Sequence, residues 1–270
     1  MAIKERKPVL TIRLYKRHIL LITALIVTGF LGYGSYFRRY MTLPQSAINI
    51  VQEVPFSVES KKVLILAPHC DDETLGAGGL IQKTLKSGGQ VKVAIVTDCD
   101  YHKTGATRRN KSISALKQLG LSKENVSFLN FPERGENMQG DINEETSISK
   151  SISQLVDGFS PDVVVLPHPN DTHSDHAITG KAGEIVLKDK DNIKIMYYLI
   201  HYNFLKFPSP SGFRPDGYLL PPAALINFTD LWYKFPLDQT DEEQKEMAIL
   251  EYKTQLRKTN PILYKIMFDF

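Results

Sequence analysis

Residues 63–76 read VLILAPHCDDETLG, and this stretch decides the fold. Val63–Ala67 is a short apolar run without polar alternation, the pattern of a strand covered on both faces of a sheet. A proline and a polar cluster end it. From Leu75 apolar residues return at helical spacing and continue to Lys86, where Gly88-Gly89 is a stop signal. Strand, polar turn and helix make the first half of a βαβ unit.

The alternation repeats downstream. Val91–Thr97 is a second strand, Arg108–Leu119 a helix ended by Gly120, and Val126–Leu129 a third strand. Ile148, Ile152, Leu155, Val156 and Phe159 recur at helical spacing. Val163–Leu166 reads as another buried strand, Ala177–Leu187 as a helix and Ile193–Ile200 as a strand. This order predicts an α/β fold, a Rossmann-like three-layer and mostly parallel sheet with helices on both faces. From Phe207 the texture changes. Pro208, Pro210, Pro215, Pro221 and Pro222 leave little room for regular structure. Residues 207–222 are therefore read as a loop over one end of the sheet. Glu242–Thr259 reads as a final helix that Asp241 could cap, so that 61–270 form one domain.

Composition fits a folded chain. Of 270 residues, 42% are apolar and 23% charged, and two cysteines exclude a disulfide-dense scaffold. The formal charge of +3 is too small to argue for nucleic acid as a partner. It is also uneven, because Lys4, Arg6, Lys7, Arg13, Lys16 and Arg17 crowd the N-terminus and leave a mildly acidic body. Ile19–Phe37 then carries no charge. A helix of that length reaches ~28 Å, close to the thickness of a bilayer's hydrocarbon core. Arg38 and Arg39 follow, and Tyr33, Tyr36 and Tyr40 suit a membrane interface. SYFRRYM offers no small-residue cleavage site, so the run reads as a retained anchor in contact with membrane lipid. The expected organisation is a basic cytoplasmic tail (1–18), a single transmembrane helix (19–37), a linker (38–60) and an extracytoplasmic domain.

Two polar segments carry the chemistry. Pro68–Glu73 (PHCDDE) follows the first strand, and Pro167–His176 (PHPNDTHSDH) follows the VVVL strand. Both fall where open α/β sheets bind ligands, beyond the carboxyl ends of strands. Four of the seven histidines of the chain and four aspartates lie in these two segments. Each alone has an ordinary reading, the acidic run as a helix cap and the His/Asp loop as solvated surface. Together they point to zinc or another divalent transition ion. His69 and Asp72, three residues apart at a turn, can reach one ion, and His176 is well placed as third ligand. Three protein ligands leave a position for water, whose pKa zinc lowers to ~7. Asp71, adjacent but not a ligand, could take the proton.

These residues resemble a known family. His69-Cys70-Asp71-Asp72-Glu73 is similar to the HPDDE signature of the LmbE-like or PIG-L deacetylases, and His173-Ser174-Asp175-His176 to their HPDH signature. The resemblance spans roughly residues 61–260 and takes in the FPSP…LPP stretch and the late helix with Lys245, Ala248 and Tyr252. It implies a zinc-dependent hydrolase that removes an acyl group, usually acetyl, from an amino sugar. By this resemblance His69, Asp72 and His176 bind the metal, and Asp71 is the base. His173, protonated, meets the oxyanion, and Asp175 holds His173 and favours its charge. The family's Arg-x-x-Glu helix start becomes Arg108 and Lys111, without the acidic partner. Its Pro-Asp-Gly substrate turn becomes Pro132-Glu133-Arg134-Gly135. Arg108, Glu133, Arg134, His201 and Arg214 are candidate substrate contacts. Trp232, Tyr218 and Phe213 are candidates for a sugar-stacking wall or for packing. Cys70 stands where the family has proline. Cys70 and Cys99 follow consecutive strands, so an extracytoplasmic domain would allow a disulfide. Free buried thiols are the expectation, because a crosslink beside a metal ligand asks for strained geometry.

The sequence thus predicts a membrane-anchored N-deacetylase acting on a glucosamine-type glycan, glycolipid or glycoconjugate. An amidase for longer acyl or sugar-conjugate amides, and a non-catalytic metal-dependent carbohydrate-binding module, are the alternatives. The predicted topology is checked by a reporter fused after Phe270. A reporter active only outside the cytoplasm is expected, and cytoplasmic signal would reverse the assignment.

Overall fold

The computed structural model of the chain describes residues 15–40, 43–133, 147–202, 205–206, 218, 220–221, 223–226 and 231–252. It divides into two units, Met1–Thr42 and Leu43–Phe270. In the first, helix α1 (Lys16–Tyr40) takes up the apolar run. Its large apolar side chains from Ile19 to Tyr33 are exposed. Over Lys16–Ser35 it is long and apolar enough to cross a membrane, by length and composition.

The second unit opens with a 3-10 turn, Gln45–Ile50, and a two-residue strand, β1 (Gln52–Glu53). Much of the stretch read as linker therefore packs on the domain. Ile48 and Val58 are buried. β1 pairs in parallel with Tyr233–Lys234, and the Gln45 amide exchanges two hydrogen bonds with the Tyr218 backbone.

Five strands form one parallel sheet: β2 (Lys62–Ala67), β3 (Gln90–Thr97), β4 (Val126–Phe131), β5 (Val163–Pro167) and β6 (Lys194–Tyr198). Their order is β4-β3-β2-β5-β6. Alternate residues of each strand face opposite layers. Val63, Ile65, Val91, Val93, Ile95, Val163 and Val165 pack with Leu80 and Ile81 of α2 (Asp72–Lys86), Leu116 of α3 (Gly105–Gln118) and one side of the C-terminal helix. Leu64, Leu66, Ala94, Val96, Val164 and Leu166 pack with Ile148, Ile152 and Val156 of α4 (Ser147–Phe159) and with Ile178 and Ala182 of α5 (Ser174–Leu187). The unbroken apolar runs of the sequence are the direct result of this double cover. After Lys194–Tyr198 come two short antiparallel strands, β7 (His201–Tyr202) and β8 (Leu205–Lys206). Tyr233–Lys234 is β9, and α6 is Gln239–Leu250.

The boundaries differ from expectation where polar residues do structural work. Helix α2 begins at Asp72 rather than Leu75, because Asp72 and Glu73 occupy its first turn, where negative charge complements the helix dipole. Helix α6 is capped by Asp238 rather than Asp241. Asp241 is the third helical residue and completes a reciprocal capping box. Strand β6 stops at Tyr198 instead of Ile200, since the N–H groups of Ile200 and His201 turn to the Asp171 carboxylate. The proline-rich stretch lies largely outside the described residues, as do Phe213 and the end of the expected last helix.

The sheet order places the topological switch between β2 and β5, so the loops after these two strands flank one crevice. Leu66, fully buried near the end of β2, packs in the core on one face of the sheet beside this crevice. Leu66→Ala is expected to destabilise the domain by ~2–5 kcal/mol, read as a lowered midpoint in denaturant unfolding with an unchanged slope.

Candidate metal centre

The loop after β2 presents His69, and the first turn of α2 presents Asp72. The start of α5 presents His176. Three of their atoms converge. Asp72 Oδ2 lies 3.2 Å from His69 Nδ1 and 3.0 Å from His176 Nε2, and the two nitrogens are 3.3 Å apart. All three residues are buried. A tetrahedral ion with bonds of ~2.0–2.1 Å would separate its ligand atoms by roughly 3.3–3.4 Å, so two imidazole nitrogens and one carboxylate oxygen fit such a site.

The far side of each imidazole meets a second carboxylate. His69 Nε2 is 2.8 Å from Asp175 Oδ2, and His176 Nδ1 is 3.1 Å from Asp171 Oδ2, a short ion-pair distance although outside hydrogen-bond alignment. Such carboxylate–imidazole pairs fix the ring and the tautomer of metal-ligating histidines. Asp171 is the hub of this support. Its Oδ1 accepts from the His173 backbone, and its Oδ2 accepts from the Ile200 and His201 backbones. His201 Nδ1 stands 3.4 Å from Asp171 Oδ1. Asp171, His176 and His201 also lie close enough to hold a cation. The Asp171 oxygens, however, are already engaged by three amide donors, so this group reads as a brace.

Charge follows from these contacts. Burial alone would lower the pKa of His69, but its bonds to Asp175 and Asp72 push it up to about 9. Burial likewise opposes protonation of His176, and the charges of Asp72 and Asp171 lift it to about 10. Asp72 is buried too, yet the imidazoles hold it well below the usual carboxylate range. His173 goes the other way. Burial first, then the neighbouring His69 and His176, push it down to about 4. Its ring is 4.6 Å from that of His69, edge to face.

Here the structure corrects three readings. The Asp175 carboxylate pairs with His69, and it is the Asp175 backbone N–H that donates to His173 Nδ1, at 3.3 Å. Burial and the neighbouring His69 and His176 work against a charge on His173, although the Asp175 carboxylate favours it. Arg108 does have an acidic partner. Its Nη1 is 2.8 Å from Glu133 Oε2, and its Nη2 is 3.9 Å from Asp71 Oδ2. The third correction is covalent: Cys70 and Cys99 are disulfide-bonded, with Cα atoms 5.9 Å apart, and are not free thiols. Adjacent parallel strands bring the two loops together.

Asp71 is part-exposed at the rim, with φ 139°. Its N–H donates to Glu73 Oε2, and Glu73 Oε1 accepts from the Tyr252 hydroxyl at 2.7 Å. Burial raises Glu73 to about 7 despite these bonds. Trp232 donates to the Leu225 carbonyl and lies parallel to His168, 6.4 Å between centroids. Tyr218 is exposed. Arg134 and Arg214 lie outside the described residues.

A doubly wound α/β domain with a His/Asp metal-type cluster at its switch point is the class that fold and site define. Residues 64–187 match the family described as PIG-L, GlcNAc-PI de-N-acetylase. A curated relative, diacetylchitobiose deacetylase of Thermococcus kodakarensis, is 29% identical over 157 residues, which is 54% of this chain and 58% of that protein. The chain thus spans well under two thirds of that relative's length. Among solved structures, N,N'-diacetylchitobiose deacetylase from Pyrococcus horikoshii superposes with a TM-score of 0.51 at 20% identity, covering 83% of each chain. The zinc-inhibited form of a teicoplanin deacetylase gives 0.52 at 16% identity, covering 72% of this chain and 85% of that one. At these identities the likeness is one of fold.

Without metal, His69 and His176 carry protons at pH 7.5, because both pKa values lie above it. A metal must displace them. Zinc titration calorimetry at pH 7.5, in buffers of different ionisation enthalpy, is expected to show release of about two protons. Affinity should rise with pH until both imidazoles have titrated. Uptake without proton release would contradict the ligand set.

Proposed function

We propose that this protein is a zinc-dependent N-deacetylase acting on a glucosamine-type sugar, with His69 Nδ1, Asp72 Oδ2 and His176 Nε2 as the metal ligands. The observation that carries this reading is the convergence of those three atoms while both imidazoles are braced from behind by carboxylates. Zinc, or another divalent transition ion, would polarise the amide carbonyl and lower the pKa of water. The remaining work falls to side chains. Asp71 is the base: part-exposed, next to a ligand but not converging with the three, it can accept a proton at the mouth of the crevice. The Arg108 guanidinium near it steers that carboxylate. His173 acts as a neutral donor. Its Nδ1 accepts the Asp175 N–H, which leaves the proton on Nε2, where it can meet the developing oxyanion. Donation from a neutral imidazole suits a site that is already cationic. Asp175 and Asp171 act through the two ligand histidines. The deacetylases of chitobiose and teicoplanin among the relatives support an N-acetylated sugar as the substrate class.

The domain sits outside the cytoplasm in this reading, held by α1. The basic N-terminal tail supports that orientation, and so does a disulfide, which persists in oxidising compartments. The substrate is then a surface glycan or a lipid-linked sugar.

Acetate release from N-acetylglucosamine-containing oligosaccharides tests the proposal. Release is expected to stop with chelator and return with zinc. Asp71→Asn is expected to keep its zinc and lose at least ~100-fold in kcat. A variant with near-native kcat would remove Asp71 from its role. Binding without release by the native protein would favour the carbohydrate-binding alternative.

A further inference from the structure

Cys70 lies between His69 and Asp71, and its disulfide reaches Cys99 at the end of the neighbouring strand. The parallel ladder between β2 and β3 runs from Lys62 opposite Gln90 to Ala67 opposite Ile95. One more step follows, Thr97 N–H to the Pro68 carbonyl at 3.0 Å. Beyond that point the two loops are joined by other means. The disulfide bridges them, the Cys70 N–H points to Cys99 Sγ at 3.1 Å, and Arg108 donates to both cysteine carbonyls at 3.3 Å. Two residues here hold backbone conformations that L-amino acids rarely adopt, Asp71 at φ 139° and Cys99 at φ 59°. Such conformations persist only where the surroundings over-determine them. The crosslink at Cys70 and the guanidinium, which holds both cysteine carbonyls and stands 3.9 Å from Asp71 Oδ2, supply that constraint.

We propose that the Cys70–Cys99 disulfide is a positioning element of the active site, holding the loop between His69 and Asp72 so that the Asp71 carboxylate is presented correctly. This rests on the deacetylase reading for its catalytic consequence. The chain becomes competent when the two thiols lose two protons and two electrons to a disulfide-bearing oxidant. In that exchange the oxidant's S–S bond breaks into two thiols as the Cys70–Cys99 bond forms. Both cysteines are fully buried, so a dithiol reaches the finished bond only when the loop opens locally. Competence is thus acquired once, after delivery to an oxidising compartment.

The test uses the full-length chain in detergent. The C70A/C99A double variant is compared with native protein, and with native protein reduced by dithiol and verified by thiol count. Zinc content and KM are expected to stay within about twofold, while kcat falls roughly 10–100-fold, the scale of a small misplacement of a reacting group. Amide exchange at positions 70–73 is expected to speed up at least tenfold. Native kcat in the variant or in the reduced protein overturns the proposal. So does a loss of kcat that merely tracks loss of zinc, since that is a structural role. Should the double variant fail to fold, the reduced native protein decides. If even oxidised native protein releases no acetate, the deacetylase reading fails, and amide exchange alone judges the clamp: unchanged exchange refutes it.

Discussion

A fully buried imidazole, His176, stands between two carboxylates, Asp72 Oδ2 at 3.0 Å on one side and Asp171 Oδ2 at 3.1 Å on the other. Asp72 opens the helix that follows β2, and Asp171 lies in the loop after β5. These strands are neighbours only because the sheet reverses its winding there. The pair Asp72–His176 is therefore the stitch across the switch point. Removing one partner from a buried pair of this kind costs ~3–5 kcal/mol, because the other is left charged and dry. The same contact that holds the two loops in register sets the spacing of the atoms that would grip a cation. Stability and site geometry here are one constraint.

The remaining parts of the site are arranged around that stitch by backbone groups. Asp171 collects the N–H groups of His173, Ile200 and His201. It thereby ends β6, shapes the loop that carries His173, and aims His176. Asp175 serves two ends in the same economical way, its side chain on His69 and its amide on His173. Each catalytic candidate is thus tied to at least one group whose first duty is to the fold.

The sheet and its helices were legible because each strand is buried on both sides, which writes itself as uninterrupted Val, Ile and Leu. The convergence of His69, Asp72 and His176 was legible as well, since their segments follow buried strands at the ligand-binding end. What escaped were relations between residues distant in sequence. The partner of Arg108 is Glu133, on a turn 25 residues away and not on its own helix. The role of Asp171 left one signal, an acidic side chain five residues before His176, and this is too common to stand out. The disulfide is not legible in the sequence, because it depends on the spacing of two loops that only the paired strands bring together. Helix starts were misplaced for a related reason: Asp72 and Asp238 each belong both to a helix end and to a polar constellation, and composition alone does not separate the two.

Tyr252 is the last residue described before the C-terminal stretch, and its hydroxyl reaches back 179 positions to Glu73, beside Thr74 and Ser112. A growing polypeptide would have made every strand of the sheet long before this phenol emerges. Until it arrives, a carboxylic acid at the heart of the β2–α2 elbow lacks its closest donor. Synthesis order thus makes the β2–α2 elbow one of the last parts of the domain to gain its full set of contacts. Were a protease to clip just ahead of Tyr252, the molecule would be left looking whole yet unfinished.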